Sequence, residues 1–129
     1  MPAGMQTALI LLVLLQVKHL FADFFLQTPR MLGGRDRYFH LGRTEHSALH
    51  ALLSIIAFLV LGVPLAFTFL LCLIEMALHY HIDWIKGRHS EKSGDTPMDA
   101  RYWRAFGVDQ LAHQLTYIAM VWAWGVYAF

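Results

Sequence analysis

Nine histidine and carboxylate side chains recur four residues apart in the apolar segments of this chain: His19-x3-Asp23, His46-x3-His50, Glu75-x3-His79-x3-Asp83 and Asp109-x3-His113. A step of four keeps neighbours on one face of a helix. Imidazole and carboxylate are the ligands that zinc, manganese and iron take. Nine donors exceed the needs of a single four-coordinate ion. They suffice for two ions about 3.5–4 Å apart, the arrangement of many phosphoester-cleaving enzymes. The expected metal ligands are therefore His19, Asp23, His46, His50, Glu75, His79, Asp83, Asp109 and His113, around one or two divalent ions of zinc, manganese or iron. Glu75, if it does not ligate, is the expected general base for an attacking water. Lys86 is the expected partner of a developing oxyanion. Gln27 and Gln110 are expected to orient ligating histidines.

The segments that carry these groups have the composition of membrane helices. The 129-residue chain is 57% hydrophobic and 15% charged, against about 25% charged in an average soluble protein. Mean hydropathy is +0.46. From His46 to Ile74 there is no Asp, Glu, Lys or Arg, and none follows Asp109. A span needs about 20 mainly apolar residues, and ionisable groups within one are costly enough to mark a functional site. The early apolar stretch lacks a basic leader and is followed by Lys18 and Asp23. It reads as a retained first helix rather than a cleaved signal. Cys72 is the only cysteine, and its apolar surroundings assign it to packing.

Helix punctuation divides the chain into four helices, residues 5–27, 44–61, 64–86 and 105–128, within one domain of residues 1–129. Thr28-Pro29 closes the first, Thr44 opens the second, and Gly62-Val63-Pro64 turns into the third. The expected fold is all-α: an antiparallel, up-down, four-helix transmembrane bundle. Arg30, Arg35, Arg37 and Arg43 lie between the first two helices. Lys86, Arg88, Lys92, Arg101 and Arg104 lie around the connection between the last two. The positive-inside rule places both basic loops in the cytoplasm and both termini outside it. Every histidine or carboxylate row then falls in the cytoplasmic half of its helix. Eight helical residues span about 12 Å, so all four rows can share one layer.

Other polar residues read more plainly. His81 faces headgroups or a neighbour, and His40 and His89 are solvated loop residues. Lys18 points away from His19, to snorkel or to pair with a carboxylate. The basic loop residues serve topology and lipid headgroups, with Lys86 and Arg104 placed to hold a phosphate. No nucleic-acid motif, P-loop or dinucleotide fingerprint is present, so no nucleic-acid partner is expected.

Three readings of the polar rows stand beside one another: a metal site, hydrogen-bonding glue between helices, and a proton or ion path. The apolar stretches Leu52–Leu61, Pro64–Leu73 and Ile118–Phe129 favour a pocket open to one side over a path.

The run His19-Leu20-Phe21-Ala22-Asp23-Phe24-Phe25-Leu26-Gln27-Thr28, with His46-x3-His50, His79-x3-Asp83-x2-Lys86 and Asp109-Gln110-x2-His113, resembles a family of small bacterial membrane proteins catalogued as domain of unknown function 3307. The resemblance covers nearly the whole chain and implies a bacterial inner-membrane protein without an assigned activity. The pattern is also loosely similar to bacterial inner-membrane metal-dependent hydrolases. The expected function is metal-dependent hydrolysis of a phosphoester or acyl bond in a membrane lipid or lipid-like substrate. The alternatives are a non-enzymatic metal-binding or transport component, a di-iron redox protein and a structural membrane subunit.

Overall fold

A computed structural model describes residues 2–128; Met1 and Phe129, the ends of the expected 1–129 domain, lie outside the described residues. The described residues are helical, with no strand among them. Helix α1 (Ala3–Leu20) runs into a π-helical turn, Phe21–Phe25, in which the Leu26 N–H bonds back to the Phe21 carbonyl at 2.9 Å. Helix α2 (Pro29–Leu32) is one short turn. Thr28 caps it by accepting from the Met31 N–H, and Pro29 takes its first position. Helices α3 (Leu41–Val60), α4 (Leu65–Ser93) and α5 (Ala100–Ala128) follow.

Three helices are longer than the punctuation predicts, and α3 already begins at Leu41, with His40 rather than Thr44 at its N-cap. Helix α4 does not stop at Lys86 but continues to Ser93. The polar residues after Gly87 are compatible with an exposed helix, and Gly94 supplies the stop in the left-handed region (φ 64°). Helix α5 begins at Ala100 rather than near 105. Thr96-Pro97-Met98-Asp99 explains the earlier start. The Asp99 carboxylate accepts from the Thr96 N–H (2.8 Å) and hydroxyl (2.9 Å), a capping-box arrangement. These bonds hold the exposed Asp99 carboxyl below the usual range.

The long helices close into a ring. α1 packs on α3 and α5, and α4 packs on α3 and α5, while no close backbone approach joins the diagonal pairs among the described residues. Cross-helix contacts fix an antiparallel sense. His46 meets Asp83 while His50 packs on His79, and Lys86 meets Asp109 while Asp83 meets His113.

The ring is divided along its length. Leu11, Leu15, Phe58, Leu71, Met120 and Trp124 form an apolar core towards the α3–α4 turn. The other half is filled by polar side chains. Among the described residues the buried set holds twelve polar or charged residues and twelve hydrophobic ones, an inversion of the usual soluble interior. The outer surface is correspondingly apolar, with Val13, Phe25, Leu52, Phe69, Leu73, Leu115 and Trp122 all more than half exposed. Ala3–Phe25 and Leu65–Ser93 are long and apolar enough to cross a membrane. Histidines, glutamines and aromatic residues lower the hydropathy of α3 and α5.

Candidate metal centre

Helical periodicity delivers the donors to the ring interior. α3 turns His46 and His50 inward, α4 Glu75, His79 and Asp83, and α5 Asp109, His113 and Tyr117. α1 contributes Lys18 and His19, and the π turn at its end contributes Asp23. Such turns widen a helix by one residue and often occur at functional sites. His19, His46, His50, Glu75, His79, Asp109 and His113 are buried.

Six of these residues make two groups that could hold a metal ion. Asp23, His46, His50 and His79 form one, and His79, Asp83 and His113 form the other. Within each group the donor atoms lie within 4.8 Å of one another, and His79 belongs to both. The Asp23 Oδ1 lies 2.8 Å from His50 Nε2 and 3.2 Å from His46 Nε2. Asp83 Oδ2 lies 3.2 Å from His79 Nε2 and 3.6 Å from His46 Nε2, and Asp83 Oδ1 is 3.3 Å from His113 Nε2. Metal–ligand bonds of about 2.0–2.2 Å in a tetrahedron put donors about 3.4 Å apart. Most of the observed separations match that edge. His79 Nε2 is buried and makes no hydrogen bond of proper geometry, as expected of a nitrogen reserved for a cation.

The remaining expected ligands border these groups. His19 Nε2 donates to Gln110 Oε1 at 2.9 Å and lies 3.3 Å from Asp23 Oδ2, while its Nδ1 accepts from the Tyr117 hydroxyl at 2.9 Å. Asp109 Oδ1 is 3.7 Å from His113 Nε2, and its Oδ2 is 3.7 Å from Lys86 Nζ. Glu75 sits one turn deeper than His79, where its Oε1 pairs with Lys18 Nζ. Lys18 also donates to the His50 carbonyl (3.2 Å), approaches His50 Nδ1 (3.2 Å), and covers the Tyr117 ring at 4.5 Å.

A cavity of about 230 Å³ opens beside the centre, lined by Asp23, His46, Asp83, Lys86 and Asp109. Arg35 and Gln27 also line it. The loop over this end is tied down by Arg43, which is buried and donates to the carbonyls of Arg35, Arg37 (2.6 Å) and Tyr38 (2.9 Å). Helix α4 meets the loop at Gly87, where an added Cβ would lie 2.5 Å from the Arg35 carbonyl oxygen.

Residues 10–128 match the family described as a protein of unknown function, DUF3307. The chain belongs to this family. No curated protein and no solved structure matches it. The match covers every four-spaced row, so the DUF3307 domain and the polar ring interior are the same unit.

In this DUF3307 domain the two expected glutamines do reach histidines. Gln110 meets His19, and the Gln27 amide donates to His46 Nε2 at 3.3 Å. Glu75 and Lys86, the residues expected to act on substrate, part company. Lys86 lines the cavity, whereas Glu75 is engaged behind the metal groups by Lys18. Two features escaped the sequence reading, whereas the expected pairing of Lys18 with a carboxylate is met by Glu75. Tyr117 carried a visible signal, since it continues the row Asp109-x3-His113-x3-Tyr117. Arg43 gave none: nothing in its neighbourhood distinguishes a loop tie from a topology residue. His40 is not freely solvated either, because its ring packs against Gly34 and Gly42. His81 is exposed and bonds to the Tyr38 hydroxyl at 3.1 Å.

Proposed function

We propose that this protein is a metal-dependent hydrolase embedded in the bacterial inner membrane, acting on a phosphoester or acyl bond of a lipid-like substrate. The observation that carries the proposal is the convergence of Asp23, His46, His50, His79, Asp83 and His113 in two groups sharing His79. Two ions of zinc, manganese or iron fit that donor set. In this reading all four long helices cross the membrane. α3 and α5 tolerate their polar residues because those face the ring interior, while large apolar side chains face outward. The basic segment from Arg30 to Arg43, and the helix ends carrying Arg88, Lys92 and Arg101, face the cytoplasm, as the positive-inside rule requires. Both termini lie on the other side.

Bound metal supplies Lewis acidity at neutral pH. The chain's own residues do the rest. Lys86 binds an anionic oxygen of the substrate from the cavity wall. Asp109 also lines the cavity, and its Oδ1 has no hydrogen-bond partner. It takes the proton-accepting role expected from Glu75. Tyr117 and Gln110 fix the His19 ring, and Lys18 holds the back of His50. The apolar core behind the centre supports a site open to one side rather than a transport path.

The test is the metal-to-protein ratio of detergent-purified protein, followed by hydrolysis assays on phosphate-headed and acyl lipids. A ratio of one to two with turnover is expected. Absence of metal after loading refutes the centre. Stoichiometric metal without turnover on any lipid returns the reading to a metal-binding component.

A further inference from the structure

A second concavity lies outside the ring, between the end of α4 and the start of α5. It encloses about 590 Å³ and is walled by Ile82, Ile85, Val108 and Ala112. Ile85 is 61% exposed and Val108 68% exposed. Lys86 and Arg104 stand in the same concavity. Arg101 lines it too, turned towards Asp95 at 3.2 Å. The Arg104 guanidinium is exposed and has no ion-pair or hydrogen-bond partner among the described residues. Lys86 and Asp109 line both this groove and the cavity beside the metal groups.

We propose that this groove seats one acyl chain of a phosphate-headed lipid, with Lys86 and Arg104 holding the phosphate. The inference rests on the metal-hydrolase reading and names the substrate class for it. Three features select this occupant. The walls are aliphatic, which suits a hydrocarbon chain. The unpaired charge at the groove, Arg104, is basic, and Lys86 is held by Asp109 only at 3.7 Å, which suits an anionic head. The groove is built from helix sides, whose backbone groups are already bonded within the helices. A peptide segment would therefore find no main-chain partners there, whereas an acyl chain needs none. Lys86, common to both spaces, places the phosphate where the groove meets the metal cavity.

The experiment measures binding to full-length protein in detergent by native mass spectrometry. The probes are dioleoyl phosphatidic acid, dioleoylglycerol and glycerol 3-phosphate. Phosphatidic acid is expected to bind at least about fivefold tighter than dioleoylglycerol, a factor typical of one basic side chain at a membrane surface. Arg104→Glu should remove that preference. Ala105→Trp, which fills the groove, should weaken both lipids about tenfold and leave metal content unchanged. Arg104 is on the surface, so its variant keeps the test valid if Ala105→Trp fails to fold. Undiminished phosphatidic acid binding in both variants overturns the proposal. Binding of glycerol 3-phosphate alone overturns it as well, because the groove then seats no chain. A changed oligomeric mass in Ala105→Trp with unchanged lipid binding assigns the groove to a second copy and also overturns it. The expected lipid pattern in a protein that takes up no metal supports the groove and sinks the metal reading separately.

Discussion

His79 is the most informative single residue to remove, because it is the only side chain common to both metal groups. It is 2% exposed, so its loss is not masked by solvent. Structural metal sites are worth about 10–16 kcal/mol in total, which assigns roughly 3 kcal/mol to each ligand of a four-donor set. His79→Ala should therefore weaken metal binding by about 100-fold or more. If two ions bind, both should weaken together, since one imidazole borders both groups. His89→Ala is the control, an exposed histidine on the far part of α4. The assay is competition against a chelator series, with metal counted per protein and size-exclusion chromatography confirming a folded preparation. His113→Ala, in one group only, should weaken one ion more than the other. Wild-type affinity and stoichiometry in folded His79→Ala would refute the shared-ligand geometry. Equal loss in His89→Ala would show that the metal is bound elsewhere.

Four further outcomes follow from the same geometry. A reporter fused after the C-terminus should be active only in a non-cytoplasmic location; cytoplasmic activity breaks the four-span orientation. Asp23→Asn, Asp83→Asn and Asp109→Asn should insert and fold yet fail in cell-based complementation, because Asn keeps shape but not charge; full activity in all three returns the cluster to helix–helix glue. Lys18→Met alone leaves Glu75 buried without its partner and should destabilise the fold by about 3 kcal/mol, while Lys18→Met with Glu75→Gln should recover most of that in a denaturation assay; no recovery means the pair is not the cause. Gly87→Ala should loosen the loop held against α4, seen as faster proteolysis near Arg35 and Arg37, whereas Gly107→Ala, with open space at its Cβ, should not; equal rates argue against the loop contact.

The donor rows were legible because helical periodicity is local. Spacing alone turned His46 with His50, and His79 with Asp83, towards one side of their helices. Which donors meet was not legible, because that depends on depth between helices. Glu75 has the right type and spacing, but it lies a turn further from the cavity and meets Lys18 instead. The π turn at Phe21–Phe25 arises in a sequence of ordinary helix formers and gives no compositional sign. The ends of α4 and α5 depended on Gly94 and on the Thr96–Asp99 pair, both short-range signals that the charge-rich stretch around them obscured. Arg43 illustrates the opposite limit. Its role depends on three carbonyls of a loop that has no regular structure.

Depth and electrostatics together make the centre one that could hold a cation. Helix–helix glue pairs each polar group with a neighbour and has no reason to gather like groups. Here the Nε2 atoms of His46, His50, His79 and His113 face two carboxylates, Asp23 and Asp83, from three helices. A purely hydrogen-bonded cluster would leave few buried nitrogens idle, and His79 Nε2, although 3.2 Å from Asp83 Oδ2, makes no hydrogen bond of proper geometry. A divalent ion between Asp23 and Asp83 would offset both negative charges and engage His79 Nε2, which borders both metal groups. His50 Nε2 is aimed at Asp23 Oδ1, 2.8 Å away, while its Nδ1 faces the Lys18 ammonium at 3.2 Å and the Tyr117 hydroxyl at 3.4 Å. An Nδ1 that accepts from Lys18 leaves the ring proton on Nε2, so an ion bound at His50 Nε2 has to displace that proton.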